Sequence, residues 1–386
     1  MKLQGVHNGR LYASHGRSIL RERTSGSFET LGRLPNPLTG LDALQYSLKT
    51  TQPWKSVVGW FVGAYQTTNV WPITDTVLLA TAGRQLFVSH NGGKDWRVSI
   101  ELPPSSGLTG VLLPAVCVHD AAIYLGEYPL ADDAVPRVRR SKDAGRTWAT
   151  VLELPDVRHI HSVQVDPYTG DIWMTTGDTD EECYIGRLRN GRFEIVGGGD
   201  QRWRAVELVF TPSSIIWGMD CVYTERNHVF QLERDEISSS GTPHIESVTT
   251  VPNSIYFGTS LIVDGTQWVV FSTAAEAGGD STAPDGLTNE TGNESKTAMV
   301  IASPATSEFT EWYEIERFQT RRRPVEYIDY KQYLPSANAY IFLAADDDRG
   351  LFINPYNTAA SHGRIIDIQP KTFNRLTKAN PVNQSK

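Results

Sequence analysis

A chain of 386 residues with 40% hydrophobic and 10% aromatic content carries enough apolar material for a large core. Its net charge of −8 excludes the basic footprint of a nucleic-acid binder, and three scattered cysteines (Cys117, Cys183, Cys221) exclude a disulfide framework or a zinc-cysteine site. The first residues lack the apolar centre of a signal peptide, and no run approaches the roughly 18 apolar residues of a membrane span. The expectation is a protein without membrane insertion, in the cytoplasm or carried in a larger assembly such as a virion.

In chain order, strand–turn units recur with no long helical pattern between them. Unit one offers three strands, 11–14, 19–23 and 28–31. Unit two spans about 56–102 and contains Ser89-His90-Asn91-Gly92-Gly93-Lys94-Asp95-Trp96. Unit three spans about 109–154 and contains Ser141-Lys142-Asp143-Ala144-Gly145-Arg146-Thr147-Trp148. Asp143 follows Asn91 by 52 positions, the length of one repeat in a blade-built fold. In each stretch a short amide or carboxylate accepts from backbone N–H groups ahead of it and closes a turn. The glycine takes the left-handed conformation, and the tryptophan opens the next strand. Asn91 and Asp143 are therefore expected to hold turns together rather than to catalyse.

Unit four is the clearest. Residues 159–165 alternate like a strand, 166–170 make a turn, and strands follow at 172–176, 184–188 and 193–196, the last pair joined by Asn190-Gly191. Unit five runs over 203–251 and unit six over 255–318. Residues 274–296 form a long polar insertion in unit six, expected as a solvated loop. Unit seven begins near 325, and 371–386 reads as a peripheral C-terminal tail. Seven units average about 55 residues and six would average about 64, so seven four-stranded antiparallel blades are preferred, with six as the alternative. The short first unit is expected to borrow a strand from the C-terminus and so close a single β-propeller over 1–386.

Topology then sorts the loops. In a four-stranded blade the fourth-to-first and second-to-third connections share one face, and the turns around Asn91 and Asp143 lie on the other. The first class of loop collects His159, His161 and Asp178 from unit four, Glu127 and Tyr128 from unit three, and Trp203, Arg204 and Asp220 from unit five. Acids, arginines and aromatics on one rim suit a polar ligand such as a sugar. His159 and His161 point the same way along a strand, which fits either a metal or acid–base pair or ordinary packing between blades. Packing is preferred and no metal is assigned, since two histidines without a fixed third ligand do not define a site. The acids of 178–182 offer oxygens to a divalent cation; no other cofactor is expected.

The two turns resemble the Asp-box of the BNR-repeat, sialidase-like β-propellers. Ser89, Asn91, Gly93 and Trp96 carry the resemblance in one copy, and Ser141, Asp143, Gly145, Thr147 and Trp148 in the other. The resemblance implies an all-β propeller. The Arg-Ile-Pro signature of sialidases does not occur, so sialidase chemistry is not implied with it. Two functions remain: a non-catalytic recognition or structural propeller that binds a glycan or protein partner, preferred because no complete catalytic set is present, and as the alternative a carbohydrate-active hydrolase or lyase with its site among the loops above. A cluster of His, Tyr and Arg, or two facing carboxylates, would favour the enzyme.

Overall fold

Alternating side chains mark some strands and short runs buried on both faces mark others, such as 78–82, 172–177 and 214–219, and the computed structural model arranges them as seven sheets in a ring. The structure describes residues 1–50, 57, 68–103, 110–131, 134–238, 241–275, 296–321, 338–379 and 381–382. Blade one is β1 (Lys2–His7), β2 (Arg10–His15), β3 (Ser18–Glu22) and β4 (Phe28–Arg33), followed by helix α1 (Gly40–Thr50). Blade two is β5 (Thr68–Pro72), β6 (Leu78–Ala82), β7 (Gln85–Ser89) and β8 (Arg97–Glu101). Blade three is β9 (Val116–His119), β10 (Ala122–Gly126), β11 (Arg137–Ser141) and β12 (Ala149–Glu153). Blade four is β13 (His159–Val165), β14 (Ile172–Gly177), β15 (Tyr184–Arg189) and β16 (Arg192–Gly198). Blade five is β17 (Ala205–Phe210), β18 (Ser214–Met219), β19 (Asn227–Glu233) and β20 (Glu246–Val251). Blade six is β21 (Ile255–Val263), β22 (Thr266–Thr273), β23 (Thr297–Pro304) and β24 (Tyr313–Gln319). Blade seven has three described strands, β25 (Tyr340–Asp346), β26 (Gly350–Tyr356) and β27 (Ile366–Ile368), and helix α2 (Pro370–Leu376) follows. All pairing is antiparallel and sequential, so the fold is an all-β seven-bladed propeller, and the six-bladed alternative falls.

No sheet can bury both faces alone, and the seven apolar clusters each lie between two consecutive blades. Trp203 and Trp217 stack at 5.4 Å between blades four and five, and Phe271 stacks on Trp312 at 5.9 Å between five and six. A fully buried side chain of this size contributes about 2–3 kcal/mol, so the wedges hold adjacent blades together.

The first blade departs from expectation. Asn8 (φ 49°) and Gly9 (φ 68°) form a tight left-handed turn, and the N-terminal residues pair with β2 as the innermost strand. Among the described residues no C-terminal strand joins this sheet; β27 stays in blade seven. The ring closes by packing of β1 against β25, with the Leu3 N–H donating to Asn354 Oδ1 at 2.8 Å. The Met1 amino group reaches the Gly363 carbonyl at 2.9 Å. In the expected tail, α2 sends Phe373 fully into the apolar cluster between blades six and seven, 5.1 Å from Trp268. Of the insertion expected at 274–296, residues 276–295 lie outside the described residues.

The stretches at 89–96 and 141–148 are the β7–β8 and β11–β12 turns, on one face. In the second, Asp143 Oδ1 accepts from the backbone N–H of Thr147 (2.8 Å) and Arg146 (3.1 Å), and Thr147 Oγ1 donates to Asp143 Oδ2 at 2.6 Å. Ser141 Oγ accepts from Gly145 N–H at 2.8 Å. The first repeats the geometry with donor and acceptor exchanged. Asn91 Oδ1 accepts from Asp95 N–H at 2.9 Å, while Asn91 Nδ2 donates to Asp95 Oδ2 at 2.7 Å. Gly145 (φ 81°) has Leu79 Cδ2 2.9 Å from where a Cβ would stand, so backbone angle and space both require glycine.

Candidate functional site

The inner strands of blades four, five and six share a local irregularity at their first residues. Pairing skips a residue between Ile160 and Ser162, between Ala205 and Leu208, and between Ile255 and Phe257. The residues displaced from the ladder include His161, Glu207 and Tyr256. Such bulges re-aim side chains, and here they occur at the same level of the ring.

Around that level six of the expected residues meet. His159 Nε2 lies 3.2 Å from Asp178 Oδ2, and His161 Nε2 lies 3.7 Å from Asp178 Oδ1. Arg204 Nη2 stands 2.9 Å from Asp178 Oδ1, and its Nε 3.6 Å from Asp220 Oδ2. Tyr128 stacks on His159 with ring centroids 4.0 Å apart, and the two imidazoles are 5.0 Å apart. Strand ends position each group: β13 begins with His159, Asp178 follows β14, Arg204 precedes β17, Asp220 follows β18 and Tyr128 follows β10. Gly177 makes room beneath them, because a Cβ there would meet both Arg204 Cγ and His161 Cε1 at 3.2 Å.

The remaining two expected residues go elsewhere. Glu127 is fully buried but pairs with Arg139 of its own blade at 2.5 Å. Trp203 is an interblade wedge. The acids of 178–182 do not converge either. Asp180 and Glu181 are exposed, and Glu182 turns back to accept from Thr179 N–H at 3.2 Å, capping its own short turn.

Sequence reasoning missed Tyr256 and Tyr340. Tyr256 donates a hydrogen bond to Asp220 and packs edge-on against Tyr340 at 5.2 Å. Tyr340 opens β25 as His159 opens β13, and Tyr256 takes in β21 the bulge position that His161 takes in β13; those shared slots were the available signal. Arg158 closes the group on the solvent side, with Nη1 3.3 Å from Asp178 Oδ2 and a quarter of its side chain exposed. The surface cleft of about 350 Å³ lined by Arg21, Glu29, Asp75 and Lys94 is on the opposite face, beside the turn at Asn91.

Electrostatics separates the groups. Burial pushes the Asp178 carboxyl up, but the two imidazoles and Arg204 overcome that and hold it far below the usual carboxylate range. Burial raises Asp220, and Arg204 and His161 offset this only in part. Burial also lowers His159 and raises the Tyr128 phenol, which stays protonated. Burial disfavours the Arg204 cation, yet Asp220 and Asp178 more than restore it. His159 and His161 are 0% and 2% exposed, and their Nδ1 atoms face the Pro129 and Ala205 carbonyls at 3.4 and 3.1 Å.

No protein-family profile and no curated protein sequence matches the chain. Solved structures do match. A chain of the Mitotic Checkpoint Complex aligns with a TM-score of 0.51 at 8% identity, over 95% of this chain and 86% of that one. A putative oxidoreductase (glucose dehydrogenase) from Thermus thermophilus aligns at 0.42 and 12% identity, over 70% and 89%. The calcium-binding protein regucalcin from Agrobacterium tumefaciens aligns at 0.39 and 13% identity, over 70% and 79%. At such identities the likeness is one of fold alone. No helix among the described residues is long and apolar enough to cross a membrane.

Proposed function

We propose that the protein is a carbohydrate-active enzyme that cleaves a carboxylate-bearing sugar polymer by proton transfer at the inner-strand ends of blades three to seven. One observation carries this reading: a His–Tyr–Arg cluster around two carboxylates whose proton affinities are driven apart, Asp178 held well below the usual carboxylate range and Asp220 raised by burial. Groups driven apart in this way mark acid and base assignments. The two turns support the sugar as substrate, because they resemble the Asp-box of sialidase-like propellers, a superfamily that includes sugar-active members.

Roles follow from exposure and charge. Arg158, partly open to solvent, meets a substrate carboxylate as a charged fork. Tyr256 is the proton-transfer group: its hydrogen bond to Asp220 orients the hydroxyl, its proton passes to the departing sugar oxygen as the glycosidic bond breaks, and the Arg204 cation favours the phenolate left behind. Asp178 holds Arg204 in place through its carboxylate and its backbone oxygen, the latter 3.0 Å from Arg204 Nη1. Hydrolysis and β-elimination both remain within this arrangement.

The test is incubation of the full chain with uronic-acid polysaccharides and neutral controls. New chain ends should form on the acidic polymers, and an ultraviolet-absorbing unsaturated end would identify elimination. Tyr256→Phe should lower kcat by about 100-fold or more with the fold intact. Binding of a polysaccharide without turnover on any polymer would sink the enzyme and leave the recognition reading. The burial of both histidines, each against a backbone carbonyl, is the observation that favours that second reading.

A further inference from the structure

The hydrogen-bonding partners of the two imidazoles fix their tautomers. A backbone carbonyl only accepts, so the nitrogen facing it must carry the proton. That applies to His159 Nδ1 against Pro129 and to His161 Nδ1 against Ala205. In a neutral ring the other nitrogen, Nε2, then presents a lone pair. Both Nε2 atoms face the carboxylate of Asp178, which Arg204 and Arg158 also pair with, at 3.2 and 3.7 Å. Lone pair against carboxylate at that distance is repulsive unless positive charge lies between them. His159 Nε2 is also buried without an aligned hydrogen-bond partner, in a side chain that is 0% exposed. A bound cation supplies the charge while both rings stay neutral.

We propose that His159, His161 and Asp178 are the protein ligands of one divalent transition-metal ion of the zinc and cobalt class. The three donor atoms lie within 4.8 Å of one another. Bonds of about 2.0–2.2 Å to nitrogen and oxygen need them somewhat closer, a shift within the reach of small side-chain rotations. The donor set, two imidazoles and one carboxylate, selects such ions over magnesium and calcium, which take oxygen. Histidine ligands almost always give their second N–H to a carbonyl or carboxylate, and both rings do so here. Arg204 and Arg158 also sit on the Asp178 oxygens, but a carboxylate has about four lone-pair directions, enough for both and a metal. Their charges weaken the site, so a dissociation constant on the order of micromolar is expected rather than that of a closed structural zinc site. The inference does not depend on sugar turnover.

The experiment strips the full chain with a chelator and titrates it with Zn2+ by calorimetry and with Co2+ by visible absorption. Expected are one equivalent per chain, a rise in melting temperature, and a cobalt spectrum of nitrogen-containing, low-coordinate ligation. His159→Gln, His161→Gln and Asp178→Asn should each weaken Zn2+ binding by about 10-fold or more, whereas Asp180→Asn should leave it unchanged. Should the ligand variants fail to fold, the cobalt spectrum of the unaltered chain still decides. No saturable Zn2+ or Co2+ binding, a cobalt spectrum of all-oxygen octahedral ligation, or loss of binding in Asp180→Asn would overturn the proposal.

Discussion

At the scale of single residues, the turns at Asn91 and Asp143 solve one problem with opposite polarity. Thr147 donates to the Asp143 carboxylate, whereas Asn91 donates to the carboxylate of Asp95. The pair, not either residue, is the unit that the turn needs. Asn91→Asp alone would set two carboxylates against each other, and the melting temperature should fall by about 2 °C. Asn91→Asp with Asp95→Thr rebuilds the arrangement of the other turn and should recover the loss. Failure of the double variant to recover would show that the side-chain pair does not matter. The same geometry persists where the sequence hides it. In the β23–β24 turn, Trp312 Nε1 donates to the Phe309 carbonyl at 2.8 Å, as Trp96 Nε1 does to Gly93, and Ser307 Oγ accepts from Glu311 N–H at 3.3 Å. Phe309 holds the glycine position at φ 62°, a conformation that its side chain disfavours, and so no motif is visible there.

At the scale of elements, strands and tight turns were legible because alternation and Asn-Gly pairs are local signals, as at 159–165 and Asn190-Gly191. The one Asn-Gly overlooked, at Asn8-Gly9, concealed β1 and led to the mistaken C-terminal strand. The loop filter found His159, His161, Asp178, Arg204, Asp220 and Tyr128 because strand ends fix which face a residue occupies. It could not separate Glu127 and Trp203 from them, since pairing with Arg139 and wedging between blades depend on side-chain direction. Nor could it foresee the bulges, which have no signature in one sequence and which place Tyr256 and Glu207. Glu207 is half-buried, its Oε2 accepting from Gly258 N–H at 3.0 Å, and burial pushes its carboxyl up to about 8. Its folded value lies above its unfolded one, so its contribution to stability is complete below about pH 4.5 and is lost as pH rises towards 8. Glu207→Gln keeps an acceptor for Gly258 without the charge. The melting temperature of the unaltered chain should therefore drop relative to this variant between about pH 5 and pH 8; parallel profiles would refute the assignment.

At the scale of the whole molecule, seven interblade clusters of similar construction make each blade depend on its two neighbours. The seam between blades seven and one is joined by packing and side-chain bonds rather than by a shared sheet. Lys2 sits at that seam, 4% exposed, with Nζ 4.8 Å from the centre of the Phe342 ring and donating to Asn69 Oδ1 and to Thr68 O. It thereby bridges blades seven, one and two. Burial lowers its ammonium to about 7, so holding the charge costs most below that pH, and the cost fades towards the unfolded value of about 10. Against Lys2→Met, the unaltered chain should gain melting temperature as pH rises from about 6 to 9; a constant difference would mean that the charge is not buried. Because the chain itself passes across each of the other six junctions and not across this one, the ring resembles a split washer. Blades seven and one can part without breaking a ladder between described strands, so hydrogen exchange should open first along β1 and β25. A circular permutant that joins the ends across the seam and cuts another blade junction would move that weak line elsewhere in the ring.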